Sequence, residues 1–254
     1  MVIAVDIGNS SIHIGLFTGS DLFVKTFDTW PLLSFREYSS IVNGFIKEKN
    51  IDKIAEGIII SSVVPGHTGV IKDALTGPVS GEPLLVSYKV ITGIVFAIPE
   101  PGELGADRIA NAVAAYERYK RPVAVVDFGT ATTISVVGKD ANYIGGTIMP
   151  GIRLMNESLE KGTSKLQAVP LFPPEAALGA DTSGCIRSGI FYGTAGAVDG
   201  ILNEIEYETG LELKVAVTGG YGKLLTGFLK RQNDFYPHLT LEGLRIIYKR
   251  NRDA

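Results

Sequence analysis

Cysteine occurs once in this 254-residue chain, tryptophan once and histidine three times. A lone thiol, Cys185, leaves no intramolecular disulfide and suits a reducing compartment. No histidine lies near it in sequence, so it reads as a small packed residue of a helix rather than a nucleophile. His13, His67 and His238 are scattered and lack ligand spacing, which argues against a zinc site. Neither sign of charge dominates: 24 Lys and Arg stand against 27 Asp and Glu, a formal net charge of −3. No basic run is dense enough to follow nucleic acid, and KRNR at 249–252 reads as a solvated chain end. No apolar run approaches the roughly twenty residues that span a bilayer. Asp6 interrupts the apolar start, so no signal peptide is expected. These absences lead us to expect a soluble, cytoplasmic protein with neither a nucleic-acid nor a membrane partner.

What is present is one phrase used twice. Residues 2–17 read VIAVDIGNSSIHIGLF and residues 123–137 read VAVVDFGTATTISVV. Each is an apolar run, then Asp-x-Gly, then small polar residues, then a second apolar run. Asp6 and Asp127 lie about half a chain apart, which implies two related halves. Val2 to Val5 has a buried-strand pattern, and Ile12, Ile14 and Leu16 alternate as a second strand. In the turn between, Gly8 or Gly129 lets a ligand approach the backbone. Asn9, Ser10 and Ser11 in one copy, and Thr130, Thr132 and Thr133 in the other, supply donors beside it. Such a hairpin can hold phosphate oxygens. A carboxylate at a strand end beside phosphate faces a cation or a reacting water. One hairpin of this kind is also an ordinary turn; two copies, each between strands, are hard to account for that way.

The remaining pattern gives a helix around Ser34–Lys49, a strand at Gly57–Ser62 and an alanine-rich helix over 105–121. Strands near 123–137 and 143–148 follow, with a helix after Pro150 and a proline-rich loop at 168–174. A long helix then runs from about Thr182 to Thr209, and a short strand at Val215–Val217 runs into Gly219 and Gly220. No Gly/Ser linker separates the halves, so we place the division inside the 105–121 helix, giving domains 1–117 and 118–254.

Within GADR at 105–108, Asp107 falls in a helix first turn. Helix-dipole complementation explains a carboxylate there as well as function does, and the dipole would keep it ionised. Arg108 is unfavourable in a first turn unless an anion meets it, ideally through the guanidinium fork.

The two Asp-x-Gly hairpins and VAVTGG at 215–220 resemble the phosphate and adenosine motifs of the actin, sugar kinase and heat-shock chaperone ATPase superfamily. Within it, DIGNSS at the start, GADR, DFGTATT at 127–133, GGTIMPG at 145–151 and GADTSGCIRSGIFYG at 179–193 resemble type III pantothenate kinase in order and spacing. That resemblance implies an α/β fold of two ribonuclease-H-like, actin-like ATPase domains around a central nucleotide cleft. It implies ATP-dependent phosphorylation of pantothenate to 4'-phosphopantothenate, the first step of coenzyme A biosynthesis. Asp107 would be the catalytic base, and Gly105, Ala106, Arg108 and Thr182 would contact pantothenate. Asp6, Ile7, Gly8, Asn9, Ser10, Ser11, Ile12 and His13 would cradle ATP, with Asp6 acting through Mg²⁺. Thr130 and Gly219 would also contact the nucleotide, and Asp127 would bind K⁺ or NH₄⁺. A homodimer is implied, with the helix after Thr182 and its small residues Ser188, Gly189, Gly193 and Gly196 at the interface. The chain departs from the family at Gly179-Ala180-Asp181-Thr182, where a basic and an amide side chain are missing, and at Ile98, where an aromatic is usual. Another small-molecule kinase of the superfamily, or a noncatalytic nucleotide-binding regulator, would share the scaffold.

Overall fold

A computed structural model describes residues 1–51, 55–76 and 82–252. The chain runs β1 (Val2–Ile7), β2 (Ser11–Thr18), β3 (Asp21–Asp28), α1 (Phe35–Glu48), β4 (Gly57–Ser62), α2 (Pro65–Thr76), β5 (Leu84–Leu85), β6 (Val95–Phe96) and α3 (Ala106–Tyr119). It continues with β7 (Val123–Phe128), β8 (Ala131–Val137), β9 (Asn142–Pro150), α4 (Ile152–Gly162) and α5 (Thr182–Thr209). Then come β10 (Lys214–Thr218), α6 (Gly222–Leu225), β11 (Asp234–Phe235) and α7 (Leu239–Arg252). The residues group into two compact units, Met1–Ala114 with Leu239–Ala254, and Ala115–His238.

The first unit is built on a sheet of order β3-β2-β1-β4-β5. β1 is antiparallel to β2 and β2 to β3, while β4 is parallel to β1 and β5 to β4. Both faces of β1 are buried, so the strand reads as a continuous apolar run rather than an alternation. Ile3, Val5, Ile7, Ile12, Ile14, Leu16, Ile58 and Ile60 form one core face, covered by Tyr38, Val42 and Phe45 of α1 and by Ile71 and Leu75 of α2. Each such side chain contributes about 1.5–3 kcal/mol on burial. α1 starts at a capping box: Ser34 Oγ accepts from Glu37 N at 3.4 Å, and Glu37 Oε2 accepts from Ser34 N at 2.8 Å. The opposite face is covered by α7, whose Leu241 lies over Gly15 and whose Tyr248 lies over Gly57. The Tyr248 hydroxyl donates to Glu56 O at 2.9 Å.

The second unit repeats this plan, with strand order β9-β8-β7-β10-β11. Here too the first three strands in sequence are mutually antiparallel neighbours, and the last two join in parallel. Val126, Phe128, Ile134, Val136 and Val217 pack on Phe191, Val198 and Leu202 of α5. α5 runs 28 residues, capped by Asp181, whose carboxylate accepts from Gly184 N at 2.6 Å, and closed by Gly210 at φ 65°.

Three expectations differ from what is found. The sequence reading gave 118–254 to the second domain, but α7 returns to cover the first sheet and groups with residues 1–114. KRNR at 249–252 is not a free tail. It forms the last turn of α7, where Arg250 donates to Thr92 O, Asn251 Nδ2 donates to Ile91 O at 2.9 Å, and Arg252 pairs with Glu56 at 2.9 Å. Cys185 is exposed rather than packed, because it lies one residue before the first buried residue of α5, Ile186. Among the described residues no helix is long and apolar enough to cross a membrane.

Candidate active site

Each sheet presents an Asp-x-Gly turn where its first strand ends. In the first unit, Ile7 pairs with Ile12 and the turn spans Gly8 to Ser11, closed by Gly8 N donating to Ser11 O at 3.0 Å. Thr29, fully buried, holds this turn from behind: its Oγ1 donates to Gly8 O at 2.6 Å and its N to Ser10 O at 3.1 Å. A trans peptide points its C=O and N–H in opposite directions, so the Asn9 N–H faces away from Thr29. Nothing in the repeated phrase marked Thr29; its role follows from where β3 ends. Ile7 and Ile12, named with the phosphate cradle, have fully buried core side chains, so only their backbone is available to a ligand.

Asp6 stands in register with His13 of β2 and with Ser61 of β4, so the three side chains share one face. The His13 ring is fixed by Ser11 Oγ at Nε2 and Thr26 Oγ1 at Nδ1, each 2.9 Å away. Ser61 is fully buried. With both His13 ring nitrogens engaged by hydroxyls, the Asp6 carboxylate and the Ser61 hydroxyl are the oxygen donors on this face, a kind that suits a hard cation such as Mg²⁺. Among the described residues no group of three or more His, Cys, Asp or Glu could hold a metal alone.

The second turn is one residue tighter: Phe128 pairs with Thr132, and Gly129 N donates to Ala131 O at 3.1 Å. Its Thr130 carbonyl accepts from Gly151 N at 3.2 Å, which joins the GGTIMPG motif to the turn. Asp127 is flanked in register by Thr133 of β8 and Thr218 of β10. Gly219 follows at φ 93°, and a Cβ there would collide with Asp127 Oδ1 and the Phe128 backbone. The second turn and the VAVTGG loop are thus in direct contact. Thr132, expected beside the ligand, is fully buried, because residues of β8 alternate faces and its partner Phe128 belongs to the core.

Asp107 and Arg108 open α3. Asp107 Oδ1 accepts from Arg108 N at 2.8 Å and folds back over Gly105, where a Cβ would clash with it. Burial raises the Asp107 pKa above the ordinary carboxylate value; the Arg108 N–H and the Arg108 charge act in the opposite direction and do not outweigh it. Loss of water sets the direction of the shift, which the helix start alone does not show. Val63 links this loop to the first turn. Its N–H donates to Ile7 O at 3.1 Å, and its Cγ1 lies 3.6 Å from where a Cβ of residue 105 would sit.

Thr182 is the first residue of α5 and is exposed. It lines an open hollow of about 620 Å³ with Leu159, Leu166, Asp181, Cys185 and Ile186. The departure at 179–182 has a local physical account: Asp181 replaces an amide side chain but keeps the capping oxygen. Of the four residues named for the interface, Ser188 is buried and donates to Ala177 O, whereas Gly189, Gly193 and Gly196 are exposed.

Residues 2–204 match the family model described as type III pantothenate kinase. A type III pantothenate kinase of Moorella thermoacetica is 38% identical over 257 residues, covering 99% of this chain and 100% of that protein. One of Geobacter sulfurreducens is 37% identical over 257 residues and covers 100% of both. Among solved structures, the ethanolamine utilization protein EutJ from Carboxydothermus hydrogenoformans superposes with a TM-score of 0.56 at 15% identity, covering 96% of this chain and 89% of that one. The activator of the 2-hydroxyisocaproyl-CoA dehydratase from Clostridium difficile superposes at 0.53 with 8% identity, covering 99% and 96%. Such distant likenesses show the fold alone, that of the actin-like ATPases and sugar kinases. Sequence motifs, repeated sheet and family match agree, and the chain belongs to the type III pantothenate kinase family.

Proposed function

We propose that this protein transfers the γ-phosphoryl group of ATP to the primary hydroxyl of pantothenate, giving 4'-phosphopantothenate and ADP, the first step of coenzyme A biosynthesis. The observation that carries this reading is Asp107. A half-buried carboxylate, held by the Arg108 N–H, opens the helix that carries the family's GADR motif, inside a match spanning residues 2–204.

Asp107 accepts the hydroxyl proton as the oxygen attacks phosphorus and the bond to the ADP oxygen breaks. Its raised pKa makes it a stronger base than an ordinary aspartate, which helps a proton transfer that comes late in a loose transition state. Gly105, Ala106 and Arg108 hold pantothenate, with the guanidinium taking its carboxylate, and Thr182 adds a further contact. The backbone and small side chains of residues 6–13 cradle phosphate oxygens, Thr130 contacts the phosphates, and Gly219 lies toward the adenosine. Asp6 would hold Mg²⁺ through water, and Asp127 a monovalent cation, K⁺ or NH₄⁺. These ions supply charge neutralisation at the phosphates; positioning by the protein carries the rest.

The protein acts as a cytoplasmic homodimer in this reading. The exposed glycines Gly189, Gly193 and Gly196 of α5 support the dimer: each glycine inside a helix costs roughly 0.5–1 kcal/mol relative to alanine, and among the described residues none has a neighbour within reach of an added Cβ. Light scattering at micromolar concentration tests it, and a monomer alone refutes it. An ADP-release assay with and without pantothenate tests the activity. Release that requires pantothenate is expected. Release with a different acceptor marks a sibling kinase, and binding without release marks a regulator.

A further inference from the structure

Ser61 belongs to none of the motifs that carry the family resemblance, yet it occupies a repeated position. In the first sheet Asp6 is in register with Ser61, the fifth residue of the parallel strand β4; in the second, Asp127 is in register with Thr218, the last residue of the parallel strand β10. The duplication therefore includes a third strand: each Asp-x-Gly aspartate has a hydroxyl residue beside it from the neighbouring parallel strand. Adjacent strands lie about 4.8 Å apart and residues in register share a face, so such a hydroxyl reaches the carboxylate directly or through one water.

Ser61 has no accessible surface, and its hydroxyl makes no hydrogen bond among the described residues. One Asp6 carboxylate oxygen, Oδ1, is buried on the same face. Leaving a hydroxyl buried and unmatched costs about 1–3 kcal/mol, and alanine would remove that cost at almost no change in volume. Resting on the kinase reading above, we propose that Ser61 is a positioning residue for nucleotide binding. Its hydroxyl donates to a bound water that bridges to the Asp6 carboxylate and so fixes that carboxylate toward the site where Mg²⁺ and the phosphates would be held. Thr218 would serve Asp127 in the same way.

The test is isothermal titration of the full-length protein with ADP, in the presence and absence of Mg²⁺, for wild type, Ser61→Ala and Ser61→Thr, beside thermal melts of the unliganded proteins. Ser61→Ala is expected to melt no lower than wild type and to bind ADP with Mg²⁺ about tenfold more weakly, the size of one hydrogen bond to a charged group. Binding without Mg²⁺ should change little. Ser61→Thr, which copies the second sheet, should retain affinity; if it melts low from crowding, Ser61→Cys replaces it as the near-isosteric control and should be intermediate. Unchanged Mg²⁺-dependent binding in Ser61→Ala overturns the proposal. So does an equal loss with and without Mg²⁺ accompanied by a lower melt, which is the mark of a purely structural serine. Wild type that fails to bind ADP with Mg²⁺ instead defeats the kinase reading itself.

Discussion

The Asp107 carboxylate accepts a hydrogen bond from the backbone N–H of Arg108 at 2.8 Å, so the proposed base and the proposed anion clamp are adjacent in chain and locked together. The bond fixes the carboxylate against Gly105 without supplying enough stabilisation to offset its lost hydration.

Asp107→Asn preserves shape and the acceptor oxygen for Arg108 N but cannot take a proton at neutral pH. Steady-state kinetics should show kcat reduced by about 10²–10⁴, the usual size of general-base loss. A variant with wild-type kcat would leave Asp107 as only a helix-start residue.

The same substitution makes a pH prediction. The folded pKa of Asp107 is raised above its unfolded value, so its favourable contribution is fully present below the unfolded pKa and is lost as pH rises through the folded pKa. At neutral pH the half-buried carboxyl is a cost, because it ionises more readily in the unfolded chain, and asparagine removes that cost. Thermal melts should favour Asp107→Asn over wild type at pH 7, with the difference shrinking toward pH 4. The acidic limb of the wild-type rate profile should lie above the pKa of an ordinary aspartate.

Arg108→Ala should act on binding rather than chemistry. A hydrogen bond to a charged partner is worth about 1.5–3 kcal/mol, so KM for pantothenate should rise roughly 10- to 100-fold while kcat changes less. A fall in kcat at unchanged KM would contradict a ground-state role.

Gly219→Ala combines a backbone at φ 93° with a clash against Asp127 and Phe128. Strain of this kind costs about 1–3 kcal/mol. The variant should melt lower and bind ADP more weakly, both measurable by calorimetry; wild-type behaviour in both would remove Gly219 from the nucleotide site.

Replacing K⁺ and NH₄⁺ with a bulky organic cation should suppress turnover. Asp127 beside nucleotide phosphates would repel them unless a cation lies between. Unchanged turnover would show that Asp127 serves only its own turn.

The sequence by itself determined the local elements and their repetition. Ser34 and Glu37 announce α1, the unbroken apolar run marks β4, and Asp181 and Gly210 bound α5. All these signals act over a few residues, through capping, periodicity or missing side chains, and so survive in one dimension. The duplicated hairpin was legible for the same reason. The tertiary structure alone decided what depends on distant chain segments meeting. Helix α7 lies at the far end of the chain and returns to close the first sheet, because one face of β1, β2 and β4 needs cover that α1 and α2 do not give. Thr29 became the brace of the first turn through β3, and Ser61 a neighbour of Asp6 through β4, both by strand register. The direction of the Asp107 pKa was also invisible in sequence. The helix start argues for an ordinary or lowered value, but the packing around α3 removes water from the carboxylate, and desolvation outweighs the local hydrogen bond and charge.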